Sequence, residues 1–228
     1  MKIQQVASFQ QDELTQVKSI FVKNLREMAS LTCQPKSIAY PYFKELNLSM
    51  LEHSIRSSQS SGGKLIVAED QGRVIGFMVC LGSLISNSVS IEYAAVRENA
   101  RRKGVFTEMM AKALSDNRPT GLCCHPHLHD IYRKFGFKTI GQEKDMLVMA
   151  TDPTMATGFP PYPNNRMNSF LNSVAEDICL KHGTGKFYAD FSKVEYELGS
   201  RIAKLEKDFS KYYVAPKPQD QSPSGLSI

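Results

Sequence analysis

Residues 90–114 read SIEYAAVRENARRKGVFTEMMAKAL, and this stretch decides the fold. An apolar strand ends at Val96, a polar turn follows, and the spacing of apolar residues predicts a helix over 104–116. The turn and the first helical residues offer backbone N–H groups without intrahelical partners, at the positive end of the helix dipole. Such a helix start is a natural binding site for an anion, and pyrophosphate is the ligand that it suits best.

The turn before this helix is basic. Arg101, Arg102 and Lys103 place positive charge beside the predicted anion site, and Gly104 has no side chain to keep a ligand from the backbone. A run of three basic residues is also typical of a solvated surface. The pattern alone therefore leaves both interpretations open.

Apolar periodicity and turn residues predict the remaining elements. A strand, two helices and a hairpin precede the deciding stretch, and a strand, a short helix and a closing hairpin follow it. The predicted ranges are strand 2–8, a helix from Asp12 to Met28, a loop over 32–41, a helix carrying 43–55, hairpin strands on either side of 70–72, strand 88–96, helix 104–116, strand 121–125, helix 128–135, and hairpin strands 138–142 and 145–150.

The composition changes after residue 151. Residues 152–165 contain four prolines and are predicted to form a loop, and two amphipathic helices are predicted over 167–181 and 192–212. The Pro- and Ser-rich end is predicted to be disordered. We therefore expect a domain over 1–151, a loop with a helical extension over 152–214, and a disordered tail over 215–228.

Charge and cysteine content narrow the function classes. A net charge of +5 over 228 residues is modest and argues against bulk nucleic-acid binding. No apolar run approaches the roughly 18 residues of a membrane span. Residues 1–14 have no apolar h-region, so no signal peptide is expected. Five cysteines form no regular disulfide framework, so a reducing, cytoplasmic location is expected.

The segment from Cys123 to His129 holds two cysteines and three histidines, the ligand types that zinc prefers. Adjacent residues of a strand point to opposite faces, and the spacing matches no closed four-ligand site. We expect no metal here. Two other roles stay open, a histidine lining an acceptor pocket and Cys124 acting as an acyl-carrying nucleophile.

Two motifs resemble the GNAT N-acetyltransferase superfamily. Residues Arg101 to Phe106 resemble its Arg/Gln-x-x-Gly-x-Gly/Ala motif, five residues after Val96, and Phe106 departs from the small residue at its end. Residues 130–137 resemble its Tyr-x-x-x-Gly-Phe element. The resemblance covers about residues 1–150 and implies an α/β (α+β) fold, the GNAT fold, in which helices flank a mixed, mostly antiparallel central sheet. A C-terminal helical extension would follow it.

The resemblance also implies a site and a reaction. An acetyl group would pass from acetyl-CoA to an amine of a small molecule or amino acid by direct attack. Glu92 would be the general base and Tyr132 the acid. The binding residues for the co-substrate acetyl-CoA would be Ala95, Val96, Arg101, Arg102, Lys103, Gly104, Val105 and Phe106, with Phe106 acting through its backbone N–H alone.

Other functions remain open at this point. Some family relatives use long acyl groups on CoA or on acyl carrier protein to make N-acyl amino acids, and the helical extension suits a wall for such a chain. The same apolar stripes suit a homodimer interface or a cover for a sheet edge. A non-catalytic CoA-binding regulatory module is an alternative of another class. The aromatic segment from Tyr40 to Phe43 suits either the acceptor pocket or the core.

Overall fold

A computed structural model describes residues 1–83, 86–155 and 165–213, and the side chains of 165–167 are outside this description. The strands in the described residues are β1 (Lys2–Val6), β2 (Lys64–Asp70), β3 (Arg73–Ser83), β4 (Ser88–Val96), β5 (Thr120–Cys124), β6 (Lys138–Glu143) and β7 (Met146–Ala150). They form one sheet in the order β1-β2-β3-β4-β5-β7-β6. Each neighbouring pair is antiparallel except β4 and β5, which run parallel.

Helices flank this sheet on both faces. They are α1 (Gln11–Lys23), α2 (Leu25–Met28), α3 (Tyr40–Ser60), α4 (Val105–Ala113), α5 (His129–Arg133), α6 (Asn165–His182) and α7 (Thr184–Asp208). Short 3-10 turns cover Glu98–Ala100, Pro126–Leu128 and Phe209–Lys211. The predicted fold class, α/β (α+β) with a mixed, mostly antiparallel sheet and C-terminal helices, is confirmed.

Alternation along the strands builds two cores, because successive strand residues point to opposite faces. Ile66 and Met78 pack with α4 through Met109 on one face. On the other face, Val67 and Phe77 belong to the cluster that holds α1 and α3. The sheet is therefore covered on both sides, and α4 lies on the face of the predicted anion site together with Tyr132 of α5 and Leu205 of α7.

Several predicted helix boundaries were wrong. Helix α3 begins inside the predicted loop, at Tyr40, because Pro41 occupies the first turn, where a helix needs no N–H from it. The first predicted helix is broken at Asn24, whose side chain donates to the carbonyl of Ile20 at 2.7 Å. Helix α4 ends at Ala113, three residues earlier than predicted.

Helix α7 begins at Thr184 rather than at residue 192. Gly183, with a φ of 91°, separates it from α6. The added turns carry Phe187 and Phe191, which pack against Phe43 of α3 in a separate apolar cluster. Such long-range packing stabilises helical turns that local propensity leaves undecided.

Polar contacts also tie the C-terminal helices to the preceding residues. Asp190 of α7 accepts hydrogen bonds from the Ser37 hydroxyl at 2.5 Å and the Ile38 N–H at 2.7 Å, just before α3 begins. Arg201 donates to Asp145 at 2.7 Å and to the carbonyl of Ser30 at 2.6 Å. Helix α7 therefore contacts the connection between α2 and α3 and the turn between β6 and β7.

Two sequence predictions concern residues outside the described ranges. The predicted disordered tail over 215–228 and most of the proline-rich segment lie outside the described residues. Within the ranges that are described, no helix has both the length and the apolar character needed to cross a membrane.

Candidate active site

The two central parallel strands part half-way along their length. Strand β4 pairs with β5 only from Val89 to Ile91, opposite Thr120 to Leu122. Beyond that point β4 still pairs with β3. Its other edge therefore presents backbone N–H and C=O groups to a gap between the strands.

Glu92 lies at a β-bulge where this gap begins. On β3, Val79 pairs with Tyr93 and Cys80 pairs with Ile91, so Glu92 is the extra residue of β4. A bulge bends its strand, increases the local twist and re-aims a side chain. Here it coincides with the separation of β4 from β5.

A cavity of about 500 Å³ fills the gap, and we call it the splay cavity. Its lining comes from Asn24 and α2, from β4 and β5, from α4 and α5, and from Met146 of β7. Its lining residues are Asn24, Glu27, Met28, Ile91, Glu92, Ala94, Ala95, Val96, Arg101, Phe106, Leu122, Cys123, Cys124, His127, Leu128, Ile131, Tyr132 and Met146.

The Glu92 carboxyl is half-buried and holds a raised pKa. Burial is the main cause of the increase, and the nearby Glu143 adds to it. The hydroxyl of Ser90 donates to Glu92 at 2.6 Å and acts in the opposite direction. A carboxyl with a raised pKa is a stronger base than an ordinary one, which suits proton transfer.

The turn before α4 presents backbone N–H groups. Arg102 has a φ of 60° and Gly104 a φ of 79°, both in the left-handed region. Among the described residues, no backbone carbonyl accepts a hydrogen bond from the N–H of Arg102, Lys103 or Gly104. Together with the start of α4, these groups form a donor surface at the positive end of a helix, which suits an anion.

Arg101 is exposed like the next two basic residues, but its guanidinium is hydrogen-bonded within the protein. Its guanidinium donates to the Asn24 side-chain oxygen at 2.5 Å and to the carbonyl of Val96 at 3.4 Å. Arg102 and Lys103 are exposed. The structure therefore places two basic side chains, rather than three, free beside the start of α4.

Phe106 turns its ring away from this donor surface. The ring contacts Tyr132 and Phe135 edge-on, with centroids 5.9 Å apart in both pairs. Its side chain lines the splay cavity instead. The departure from a small residue at this position thus leaves the backbone of the turn uncovered.

Residues 61–139 match the family model described as Acetyltransferase (GNAT) domain. These residues form a GNAT domain. Among solved structures, PH1933 from Pyrococcus horikoshii OT3 has a TM-score of 0.55 at 14% identity, and the match covers 68% of this chain and 99% of that one. The PaiA N-acetyltransferase from Thermoplasma acidophilum, in complex with coenzyme A, has a TM-score of 0.48 at 15% identity, covering 66% and 98%. Among curated proteins, none matches the chain.

In the GNAT domain, Tyr132 lies on α5 and lines the splay cavity. Its side chain is buried, and burial raises the pKa of the phenol, with a smaller effect from Cys124. The hydroxyl therefore stays protonated at neutral pH. Val105, the first residue of α4, is buried in the core. Ala95 and Val96 of β4 line the splay cavity.

The two adjacent cysteines of the GNAT domain are poor nucleophiles. Burial raises the pKa of Cys124 to about 12, and its thiol lies 3.6 Å from the sulfur of Met149. Burial also raises the pKa of Cys123. Since the thiolate is the reactive form, this environment does not support an acyl-carrying role for Cys124.

The three nearby histidines have different surroundings. His129 packs against Tyr212, while His125 and His127 stack with ring centroids 5.9 Å apart. In the described part of the chain, no group of three or more His, Cys, Asp or Glu residues could hold a metal ion. His127 lines the splay cavity, as the sequence left open for a histidine of this segment.

Residues that the sequence did not indicate also line the cavity of the GNAT domain. Glu27 of α2 lies 2.5 Å from the ring nitrogen of His127, which is one hundred positions away. Asn24 meets Arg101 across a similar separation. No local pattern reports such pairs, because only the folded sheet brings α2 beside the connection after β5.

The aromatic segment from Tyr40 to Phe43 contributes to an apolar cluster. Tyr42 and Phe43 pack there with Phe187 and Phe191 of α7.

Proposed function

We propose that this GNAT domain transfers an acetyl group from acetyl-CoA to an amine of a small molecule or amino acid. One observation carries the proposal. Glu92, a carboxyl with a raised pKa, lines the same cavity as the protonated phenol of Tyr132, and the turn before α4 offers free backbone N–H groups beside it.

The donor fits the shape and charge of this site. The N–H groups of residues 102–106 would bind the pyrophosphate, with Arg102 and Lys103 adding positive charge. The pantetheine arm would lie along the free edge of β4, where Ala95 and Val96 line the cavity. An arm with amide groups can pair with such an edge as a short strand would.

Glu92 would act as the base. An alkylammonium has a pKa of about 10.4 and must lose a proton before its nitrogen can attack. Glu92, directly or through one water, would take that proton. The nitrogen then attacks the thioester carbonyl carbon, and a backbone N–H near Ala95 and Val96 would stabilise the oxyanion.

Tyr132 would assist the leaving group. As the tetrahedral intermediate collapses, the C–N bond is kept and the C–S bond breaks, which leaves a thiolate. A hydrogen bond from the phenol would strengthen as charge builds on sulfur. The nitrogen loses its remaining extra proton as the amide forms, and this proton ends on the released thiol, while the proton taken by Glu92 passes to solvent. Because burial raises the pKa of Tyr132, stabilisation by a hydrogen bond is favoured over full transfer.

The test is turnover. The protein is incubated with acetyl-CoA and a panel of amines, and the acetylated product is measured by mass spectrometry, because thiol detection would also report the protein's own cysteines. Acetylation of at least one amine, lost in Glu92→Gln and Tyr132→Phe, is the expected result. Tight binding of acetyl-CoA without turnover of any amine would favour a regulatory CoA-binding module instead.

The five cysteines are free thiols, which supports a cytoplasmic location.

A further inference from the structure

A second cavity lies where α7 meets the GNAT domain, and we call it the vestibule. Its volume is about 660 Å³. It shares Glu27 and His127 with the splay cavity, so these two side chains lie at the boundary of both spaces. The other lining residues are Arg26, Ala29, Thr32, Cys33, Gln34, His125, Pro126, Asp145, Glu197, Arg201, Lys204, Leu205, Asp208 and Tyr212.

Buried polar atoms without partners cluster at the vestibule. In the described part of the chain, four buried side-chain atoms have no hydrogen-bond partner. Three of them belong to lining residues, namely Thr32 Oγ1, His125 Nε2 and Asp145 Oδ1. The fourth, Thr139 Oγ1, belongs to β6. Because buried polar groups are normally paired, a cluster of three indicates a site built for a ligand.

The protonation states define what this ligand must offer. Burial would raise the pKa of Asp145, but the nearby Ser30 and the hydrogen bond from Arg201 outweigh it, and the pKa is lowered. Asp145 is therefore ionised, and its free oxygen can only accept a hydrogen bond. Burial lowers the pKa of His125, so this ring is neutral at pH 7.

The charged lining of the vestibule argues against a hydrocarbon chain as its ligand. The vestibule wall that α7 contributes is mainly charged, with Glu197, Arg201, Lys204 and Asp208. Arg201 is held in place by Asp145 and by the carbonyl of Ser30. A long acyl chain would displace water from these charged groups and offer them no hydrogen bond in return. A compact polar molecule would suit this wall better, because its N–H or O–H donors can pair with the carboxylates of Asp145, Glu197 and Asp208.

We infer that the vestibule binds the polar body of the acceptor, an amine that carries further amino or hydroxyl donors. This inference rests on the proposed acetyl transfer, since it places the acceptor beside the splay cavity at Glu27 and His127. The C-terminal extension would then select the acceptor, and α7 would act as a specificity element rather than a cover for the sheet.

The test compares donor-rich amines with an apolar one. Glucosamine and L-lysine are titrated against the full chain by calorimetry, with octylamine as the comparator. At least one donor-rich amine is expected to bind, and octylamine is expected to bind at least about tenfold more weakly. Binding of octylamine alone, or of none of the three, would overturn the inference.

A matched pair of variants locates the binding. Thr32→Val removes an unpaired hydroxyl that lines the vestibule, and Thr139→Val removes one elsewhere. Loss of a single hydrogen bond should weaken amine binding by about three- to tenfold in Thr32→Val and leave Thr139→Val unchanged. Equal affinities in both variants would show that these amines bind elsewhere and would sink the inference.

Binding of acetyl-CoA, followed in the same samples, separates the two proposals. If acetyl-CoA binds and is turned over but Thr32→Val does not weaken the amine, the vestibule inference fails and the proposed function stands. If the amine binds at the vestibule and acetyl-CoA does not bind, the proposed function fails.

Discussion

The rings of Phe106 and Tyr132 meet edge-on, with centroids 5.9 Å apart and planes at 73°. Phe106 thus supports the proposed acid from the first turn of α4. At this position the family motif has a small residue, whereas Phe106 places an aromatic ring against the phenol of Tyr132. We call this contact the brace. Edge-to-face contacts of this kind contribute about 0.5–1.5 kcal/mol beyond burial.

The brace can be tested with Phe106→Ala. We expect the turnover number to fall about tenfold, because Tyr132 loses its lateral support, while the KM for acetyl-CoA changes little. Stability should decrease by about 1–3 kcal/mol, below the cost of a fully buried ring. Phe135→Ala is the control, since Phe135 touches Phe106 but is not among the residues that line the splay cavity. Equal turnover in wild type and Phe106→Ala would contradict the brace.

Glu92→Gln should lower the turnover number by about 10²–10⁴-fold, the usual range for loss of a general base. Because the pKa of Glu92 is raised, activity should rise with pH through a value above the ordinary carboxyl pKa of about 4.3. The variant should lose this limb of the profile. Glu143→Gln, which keeps Glu92 and removes a neighbouring charge, should instead move the limb to lower pH. An unchanged profile in Glu92→Gln would remove Glu92 from the mechanism.

Tyr132→Phe should lower turnover by about 10²-fold without weakening acetyl-CoA binding. The raised pKa keeps the phenol protonated, so the wild type should lose no activity between pH 8 and pH 10 through ionisation of this residue. Initial rates over that range, with product measured by mass, check both points. A descending limb that disappears in Tyr132→Phe would show that the phenol ionises there after all.

Gly104→Ala tests the turn before α4. Gly104 has a φ of 79° and open space where a Cβ would stand, so only backbone strain opposes alanine. We expect a loss of about 1–2 kcal/mol in stability and a higher KM for acetyl-CoA as the turn relaxes. Gly185→Ala has equally open space inside α7 and no positive φ. It should be neutral or stabilising by up to about 1 kcal/mol. Similar effects of the two changes would argue against a conformational role for Gly104.

Asp145 should make stability depend on pH. Its pKa is lower in the folded protein than its ordinary value, so the folded state binds fewer protons there. The stability that it contributes is present above the unfolded pKa of about 3.9 and is lost as pH falls through the folded pKa. Urea unfolding of Asp145→Asn should show a loss of about 1.5–3 kcal/mol at pH 7 and a smaller difference from wild type in acid. The exposed Asp130→Asn should show neither effect.

The sequence predicted what depends on local patterns. The succession of strands and helices along the chain, including the helix after Val96, follows from apolar periodicity and turn residues. The mixed, mostly antiparallel sheet follows from the resemblance to the family. The bulge at Glu92 does not, because it is defined by the register of β4 against β3. The turn of Arg101 toward Asn24 and the pairing of His127 with Glu27 also depend on contacts over about 77 and 100 positions. The vestibule needs α7 seated on the domain, and no stretch of sequence reports that docking.

The bonds from Asp190 to Ser37 and Ile38 have a practical consequence for anyone shortening this protein. An expression boundary at Ala150, where the sheet ends, would seem natural. Truncation there would remove the carboxylate that accepts hydrogen bonds from Ser37 and Ile38 before α3, and it would expose Phe43 to solvent. The truncated protein should therefore aggregate through this exposed aromatic surface.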